Sequence, residues 1–208
     1  MGKQLNKRAR SLIRRLNRIR HKQAKQIDIL CNDMISVHRD IVKQLKSLNF
    51  SVDFYESLLG QNDLTSLLNT SAELIRHYIT NSNVAVFLLD CEGFELHMVD
   101  EESPIEIDTG RLESFFTSEV VENICRSNRV CSLDDIFEMG FVGNLSDLSR
   151  ISAAVIPLGS FGVGIGFILL YRSAENKITS DELQRLTTIT PGLCRAIESC
   201  RLLSQIDG

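Results

Sequence analysis

The sequence predicts an α+β domain, in which helices flank an antiparallel sheet, preceded by a long N-terminal helix. Three observations lead to this fold class. Residues 5–49 contain neither glycine nor proline and carry apolar residues at helical spacing. The segments 83–99 and 151–171 have the pattern of strand pairs joined by turns, and the last helical pattern follows the strands instead of alternating with them. Helices segregated from consecutive strands in this way are typical of an α+β fold.

The long N-terminal helix has the apolar repeat of a coiled coil. In a heptad frame over residues 9–48, nine of the twelve core positions are apolar, and Arg20, Gln23 and Gln44 interrupt the row. A helix of this length cannot pack along a domain built from the remaining residues, so we expect a homodimer, whose strand direction the pattern leaves open. The residues predicted to form it are Ile13, Leu16, Ile27, Leu30, Met34, Val37, Ile41 and Leu48.

Charge is divided unevenly along the chain. Residues 1–25 hold ten Lys or Arg and no acidic residue, whereas the rest holds 13 basic and 27 acidic residues. Four interpretations of this basic arm stay open: a solvated flank of the coiled coil, a contact with an anionic membrane, a contact with nucleic acid, or an unidentified protein partner. The arm has no aromatic residue, which disfavours stacking on bases. The candidate residues for an anionic surface are Arg8, Arg10, Arg14, Arg15 and Arg18.

The elements after the long helix follow from turn and cap signals. Residues 50–62 are predicted to be a connector with a short helix over 54–59 and a stop at Gly60, and Asp63 is the expected N-cap of the next helix. The predicted domains are therefore a basic helix over 1–49, this connector, and a folded domain over 63–208. Within that domain we expect helices over 64–79, 111–127 and 181–204, strands over 83–90, 94–99 and 129–132, a mixed region over 133–148, and a hairpin over 151–171.

The uncharged stretch 151–171 has three possible interpretations: a membrane span, a phosphate-binding loop or a buried hairpin. Pro157 and four glycines oppose a spanning helix, and their spacing matches no phosphate-binding motif. Period-2 alternation from Val163 to Tyr171 favours the hairpin. It also sets glycines 162, 164 and 166 on one strand face, and we expect the last helix to approach that face closely.

Cysteine usage and the N-terminus indicate a reducing compartment. Six cysteines without C-x-x-C spacing predict reduced thiols and not a disulfide framework. The N-terminus is basic but lacks the apolar stretch of a secretory signal. We therefore expect a cytoplasmic protein.

Three strings of the sequence, taken in order, resemble the GAF domain, a small-molecule sensor module of signalling proteins. They are LTSLLNTSAELIRHYITNSNVAVFLLD, SEVVENICRSNRVCSLDDI and ISAAVIPL…GIGFILLY…ITSDELQRLTTITPGLCRAIES. The resemblance covers residues 62–204. The chain is also similar to an uncharacterised bacterial GAF-related family, in which a long N-terminal helix precedes the domain and a "SAALIPLG" strand corresponds to residues 152–159.

This resemblance implies a ligand between the sheet and the segment 111–150, without identifying the ligand or any cofactor. Two functions stay open: a non-catalytic sensory module that signals through its dimer, and a structural adaptor whose pocket is closed by its own side chains and which the basic arm tethers to an anionic surface. A void among the candidate lining residues favours the first, and a filled core favours the second. These residues are Phe87, Phe115, Phe116, Phe137 and Phe141.

A third function, a thiol-dependent reductase of the methionine sulfoxide type, is implied by enzymes among GAF relatives. It would use Cys91, Cys125 and Cys131. Cys125 falls late in its predicted helix, however, where the helix dipole disfavours a thiolate. We therefore expect no enzyme.

Overall fold

The computed structural model describes five stretches of the chain: residues 2–90, 93–98, 112–143, 148–160 and 163–206. The chain divides into two compact units, Met1–Leu48 and Asn49–Gly208. Residues 99–111, and residues 161–162 of the predicted hairpin, lie outside the described residues.

The first helix, α1, spans Gly2–Leu58 and does not end at residue 49 as the sequence pattern predicts. The difference has a packing reason. Phe50 and Phe54 are completely buried in the core of the second unit, so their burial stabilises an unbroken helix through a connector in which only a short helix over 54–59 is predicted. The predicted stop at Gly60 is confirmed: this residue has a left-handed φ of +86°, which glycine adopts at little cost.

The remaining elements form one sheet and its covering helices. The helices are α2 (Leu64–Tyr78), α3 (Ser118–Ser127), α4 (Leu133–Glu138) and α5 (Ser180–Ile206), with a 3-10 helix at Leu112–Phe115. The strands are β1 (Asn83–Asp90), β2 (Gly93–Met98), β3 (Cys131–Ser132), β4 (Ile151–Ser160) and β5 (Val163–Ser173). The five strands run in the order β2-β1-β5-β4-β3, and every neighbouring pair is antiparallel. The predicted α+β class is confirmed.

Helix starts follow their capping residues. Asp63 accepts a hydrogen bond from the Ser66 backbone N–H at 2.8 Å, which confirms the predicted cap of α2. The single helix predicted over 111–127 is instead divided. Thr117 is extended, with φ −86° and ψ 160°, and its hydroxyl accepts from the Val120 N–H to cap a new helix. The residues before it form the separate 3-10 turn.

Two apolar layers cover the two faces of the sheet. The last turns of α1 pack with α2 and α5 on one face, and the 3-10 helix, α3 and α4 cover the other. A register shift in the β4–β5 pair changes which of these two layers alternate residues of β5 face. Leu158 lies opposite Gly166, but Gly159 lies opposite Gly164, so Ile165 is an extra residue that interrupts the alternation.

This bulge corrects the prediction about the glycine face. A Cβ at Gly164 would lie 2.6 Å from the carbonyl oxygen of Cys125, at the end of α3. The close neighbour of Gly164 is therefore α3 and not the last helix. The extra residue Ile165 makes the residues before it in β5 point to the opposite face from the one that strict alternation predicts. A Cβ at Gly166 would instead collide with the backbone oxygen of Phe87 on β1, and Gly162 lies outside the described residues.

An ion pair joins the end of β5 to the start of α5. The Arg172 guanidinium donates to the Glu182 carboxylate at 2.7 Å and to the backbone oxygens of Asn176 and Lys177. Burial raises the pKa of Glu182, but hydrogen bonds from Thr179 and Arg172 outweigh it and leave that pKa below its ordinary value. The pair thus fixes the loop between the two elements.

Candidate functional site

The five phenylalanines predicted from the sequence meet on the α3 side of the sheet. Ring centroids lie 5.0 Å apart for Phe87 and Phe116, and 5.0 Å apart for Phe116 and Phe141. Phe137 and Phe115 contact Phe141 at 5.6 and 6.4 Å. Aromatic rings at such distances attract one another beyond their burial.

Two further rings belong to the same cluster and were not predicted from the sequence. Phe167 on β5 stacks on Phe87 at 4.6 Å with an angle of 18° between the rings, and Phe94 on β2 lies 5.5 Å from Phe87. Phe167 and Phe87 are direct partners in the β1–β5 pair. The sequence shows both strands but not that they are neighbours, and this pairing was the missing signal. We call the seven rings the aromatic layer.

Burial within the aromatic layer is graded. Phe87, Phe116, Phe141 and Phe167 are buried, whereas Phe115 and Phe137 are half-buried. The buried rings contact each other directly, and the half-buried rings form the rim between the 3-10 helix and α4.

A polar pair adjoins the aromatic layer. The Tyr171 hydroxyl donates to Glu113 Oε1 at 2.7 Å, and both residues are buried. Glu113 belongs to the 3-10 helix, three residues before Phe116, whose N–H donates to the Glu113 carbonyl. Among the described residues, Glu113 Oε2 has no hydrogen-bond partner. Sequence reasoning missed this pair because no local motif connects residues 58 positions apart.

The cysteines of the α3 side are poorly suited to thiol chemistry. Burial raises the pKa of Cys125 to about 11, and the charge of Glu122 adds to the effect. The nearby cations are both engaged: Arg126 pairs with Glu122 at 2.9 Å, and Arg129 pairs with Asp135 at 3.0 Å. A thiol with such a pKa stays protonated at neutral pH and is a weak nucleophile. Cys131 is buried, and Cys91 lies outside the described residues.

The apolar row on α1 lies exposed. The side chains of all eight residues predicted to form the dimer are 49–72% exposed within the single chain. Six further exposed apolar residues among the described side chains of residues 2–48 fall outside the heptad frame, and three of them, Leu12, Ile19 and Leu45, extend the row. With them the row avoids Arg20 and Gln44 and follows an eleven-residue period, which keeps it nearly parallel to the helix axis. Plain helical periodicity in the sequence already contained this signal.

Seven basic side chains of the arm are described and exposed, and four of them are candidate residues for the anionic surface. Arg10, Arg14, Arg15 and Arg18 are exposed on α1, and the side chain of Arg8 lies outside those described. Within the described part of the chain, no three His, Cys, Asp or Glu side chains are grouped so that they could hold a metal ion. No described helix is long and apolar enough to cross a membrane.

Comparison with known proteins identifies the fold. No protein family and no curated protein matches the sequence. The structure matches that of a GAF domain/HD domain protein from Geobacter sulfurreducens, with 15% identity and a TM-score of 0.54 over 70% of this chain and 98% of that chain. It also matches the GAF domain of a phosphoenolpyruvate-protein phosphotransferase from Coxiella burnetii, with 11% identity and a TM-score of 0.55 over 77% and 98% of the two chains.

A third similar structure is an enzyme. The free methionine-R-sulfoxide reductase from Neisseria meningitidis, solved in complex with its substrate, has 17% identity and a TM-score of 0.54 over 75% of this chain and 90% of that chain. Identities this low carry the fold and not the activity. The chain therefore has the α+β fold of these GAF domain structures, preceded by a long N-terminal helix.

Proposed function

We propose that this chain is a non-catalytic regulatory module, which binds a small molecule on the α3 side of its sheet and forms a homodimer through α1. The observation that carries the proposal is the exposed apolar row on α1. Burying a large aliphatic side chain is worth about 1.5–3 kcal/mol, so a second copy of the row supplies enough energy for a stable pair. In this proposal α1 transmits the bound state of the domain to the dimer.

The dimer is tested by placing charge in the row. Ile27→Glu combined with Met34→Glu sets carboxylates of the two copies against each other, and we expect a monomer in sedimentation velocity. The matched control is Asn32→Glu with Ser36→Glu, which adds the same charge at exposed positions outside the row and leaves a dimer. If the first variant sediments as the wild type does, or if both variants become monomers, the row is not the seam.

The small-molecule part of the proposal rests on the aromatic layer and on its polar pair. A protein of the same fold holds its substrate in the reductase structure from Neisseria meningitidis. Native mass spectrometry of freshly purified protein tests retention of a ligand. We expect a native mass greater than twice the 23.4 kDa of one chain. After denaturation the mass should be that of a single chain without ligand. A native mass equal to two bare chains would count against a retained ligand.

The direct contacts among the buried rings of the aromatic layer meet the criterion of a filled core and favour a structural adaptor. We rank the adaptor second because the unpartnered Oε2 of Glu113 beside these rings favours a ligand. In the adaptor function the basic arm tethers the dimer to an anionic surface. The reductase function is less well supported, since the raised pKa of Cys125 keeps the thiol protonated. An adaptor would form the same dimer but retain no small molecule, and it would bind anionic vesicles or nucleic acid through residues 1–25.

A further inference from the structure

Glu113 is a buried acid with an incomplete hydrogen-bond shell. Its side chain is 5% exposed, and the neighbouring Leu112 and Phe116 are buried as well. Oε1 accepts the hydrogen bond from Tyr171, while Oε2 is buried without a partner among the described residues. Buried polar atoms in native proteins are almost always paired, so an isolated carboxylate oxygen calls for a physical explanation.

Among the described residues, no basic side chain pairs with Glu113. The described arginines of this region are engaged elsewhere: Arg126 with Glu122, Arg129 with Asp135 and Arg172 with Glu182. Leaving a carboxylate oxygen buried and unbonded costs free energy. A ligand that donates an N–H to Oε2 would remove that cost, and a cationic donor makes the stronger bond.

We propose that Glu113 and Tyr171 form the polar end of a site for a small organic cation, an ammonium or amidinium with an apolar body. The inference rests on the proposed binding of a small molecule on the α3 side. The cation donates an N–H to Oε2, while the hydroxyl of Tyr171 holds Oε1 in place. Its apolar body packs against Phe116 and the adjoining rings of the aromatic layer.

The surroundings select this chemical class over others. A carboxylate oxygen only accepts, so ligands that present phosphate or carboxylate are repelled, and charge-assisted N–H bonds are favoured over neutral ones. Tyr171 lies on a central strand, and the 3-10 turn fixes Glu113 to Phe116 through the bond from the Phe116 N–H. The acceptor and the nearest ring are therefore held before the ligand binds, which lowers the ordering cost of binding.

The test compares benzamidinium with benzamide, which has the same shape but no charge. By isothermal titration calorimetry of the full chain we expect benzamidinium to bind at least about tenfold more tightly. Glu113→Gln sets an N–H donor against the donor of the ligand, so it should weaken benzamidinium binding about tenfold or more and leave benzamide unchanged. The control is Glu138→Gln, the same substitution at an exposed position at the end of α4, which should change neither.

A second variant keeps the inference testable if Glu113→Gln does not fold. Tyr171→Phe retains the carboxylate but removes the hydroxyl that orients it, and we expect severalfold weaker binding of benzamidinium alone. Equal affinity for the two compounds, unchanged in both variants, would overturn the cation while leaving a small-molecule site in place. Binding of neither compound would also overturn it, and native mass spectrometry would then decide separately whether the proposed function survives.

Discussion

Gly164 offers the sharpest test of how the α3 side is packed. The substitution Gly164→Ala adds one methyl group where the structure leaves no room. That carbon would lie 2.6 Å from the carbonyl oxygen of Cys125 and 3.1 Å from both its carbonyl carbon and its Cβ. Ordinary contacts begin at about 3.5 Å, so the end of α3 has to move away by several tenths of an ångström.

The expected magnitude is the difference between two effects. Overpacking of a well-packed core costs about 1–3 kcal/mol. Replacing glycine by alanine restricts the unfolded chain and returns about 0.4–1 kcal/mol. The net loss at Gly164 should be about 1–2 kcal/mol, and for a domain of this size that corresponds to a fall in Tm of about 2–8 °C.

Gly143→Ala is the matched control for this prediction. A Cβ at Gly143 would also have its nearest neighbour at 2.6 Å, but that neighbour is Cδ1 of Leu148, the end of a flexible side chain. Leu148 can turn aside, whereas the Cys125 carbonyl is fixed by its helix, so thermal melting should show a smaller loss for Gly143→Ala. An unchanged or higher Tm for Gly164→Ala, or equal losses at both sites, would refute the close approach of α3.

Three further predictions concern thiols, the buried ion pair and the arm. At pH 7 iodoacetamide should label the exposed Cys31 far faster than Cys125, whose pKa is about 11. If peptide mapping finds rapid labelling of Cys125, the reductase function regains support. Arg172→Met should lower the unfolding free energy in urea by about 3 kcal/mol. Because the pKa of Glu182 is lowered in the folded state, this residue stabilises the fold at pH values above its ordinary pKa, and that stabilisation is lost as the pH falls through the lowered pKa. Glu182→Gln should therefore make the free energy of unfolding fall less steeply at acid pH, and an unchanged pH dependence would contradict this. Deleting residues 1–25 should leave the fold intact by circular dichroism and abolish salt-sensitive retention on heparin, while equal retention would exclude the arm as an anionic contact.

Local signals allowed most elements to be predicted from the sequence, and tertiary effects account for the errors. The strand Asn83–Asp90 and the cap at Asp63 were predictable because alternation and capping depend on neighbours along the chain. The end of α1 was wrong because burial of Phe50 and Phe54 in the core, and not helix propensity, extends it. The predicted helix over 111–127 was wrong because the Thr117 cap starts a new helix after the 3-10 turn.

The candidate site divides in the same way. Five phenylalanines were predicted to lie together through the family resemblance, and the structure brings their rings into one cluster. Phe167 was missed because it joins them through the pairing of β1 with β5, which no local pattern encodes. Glu113 and Tyr171 were missed because neither belongs to a motif, and only the folded chain shows that the carboxylate is buried.

The segment from Glu113 to Cys125 is held by β5 at both of its ends. At one end Tyr171 bonds Glu113, just before α3, and at the other Gly164 lets the last turn of α3 approach the strand. These two positions on β5 are seven residues apart, about 23 Å along a strand, which suits a ten-residue helix of about 15 Å plus the 3-10 turn. The bulge at Ile165 makes this possible, because without it Gly164 would face the other layer. A change at the Glu113 carboxylate is therefore made in a segment that β5 contacts at both ends.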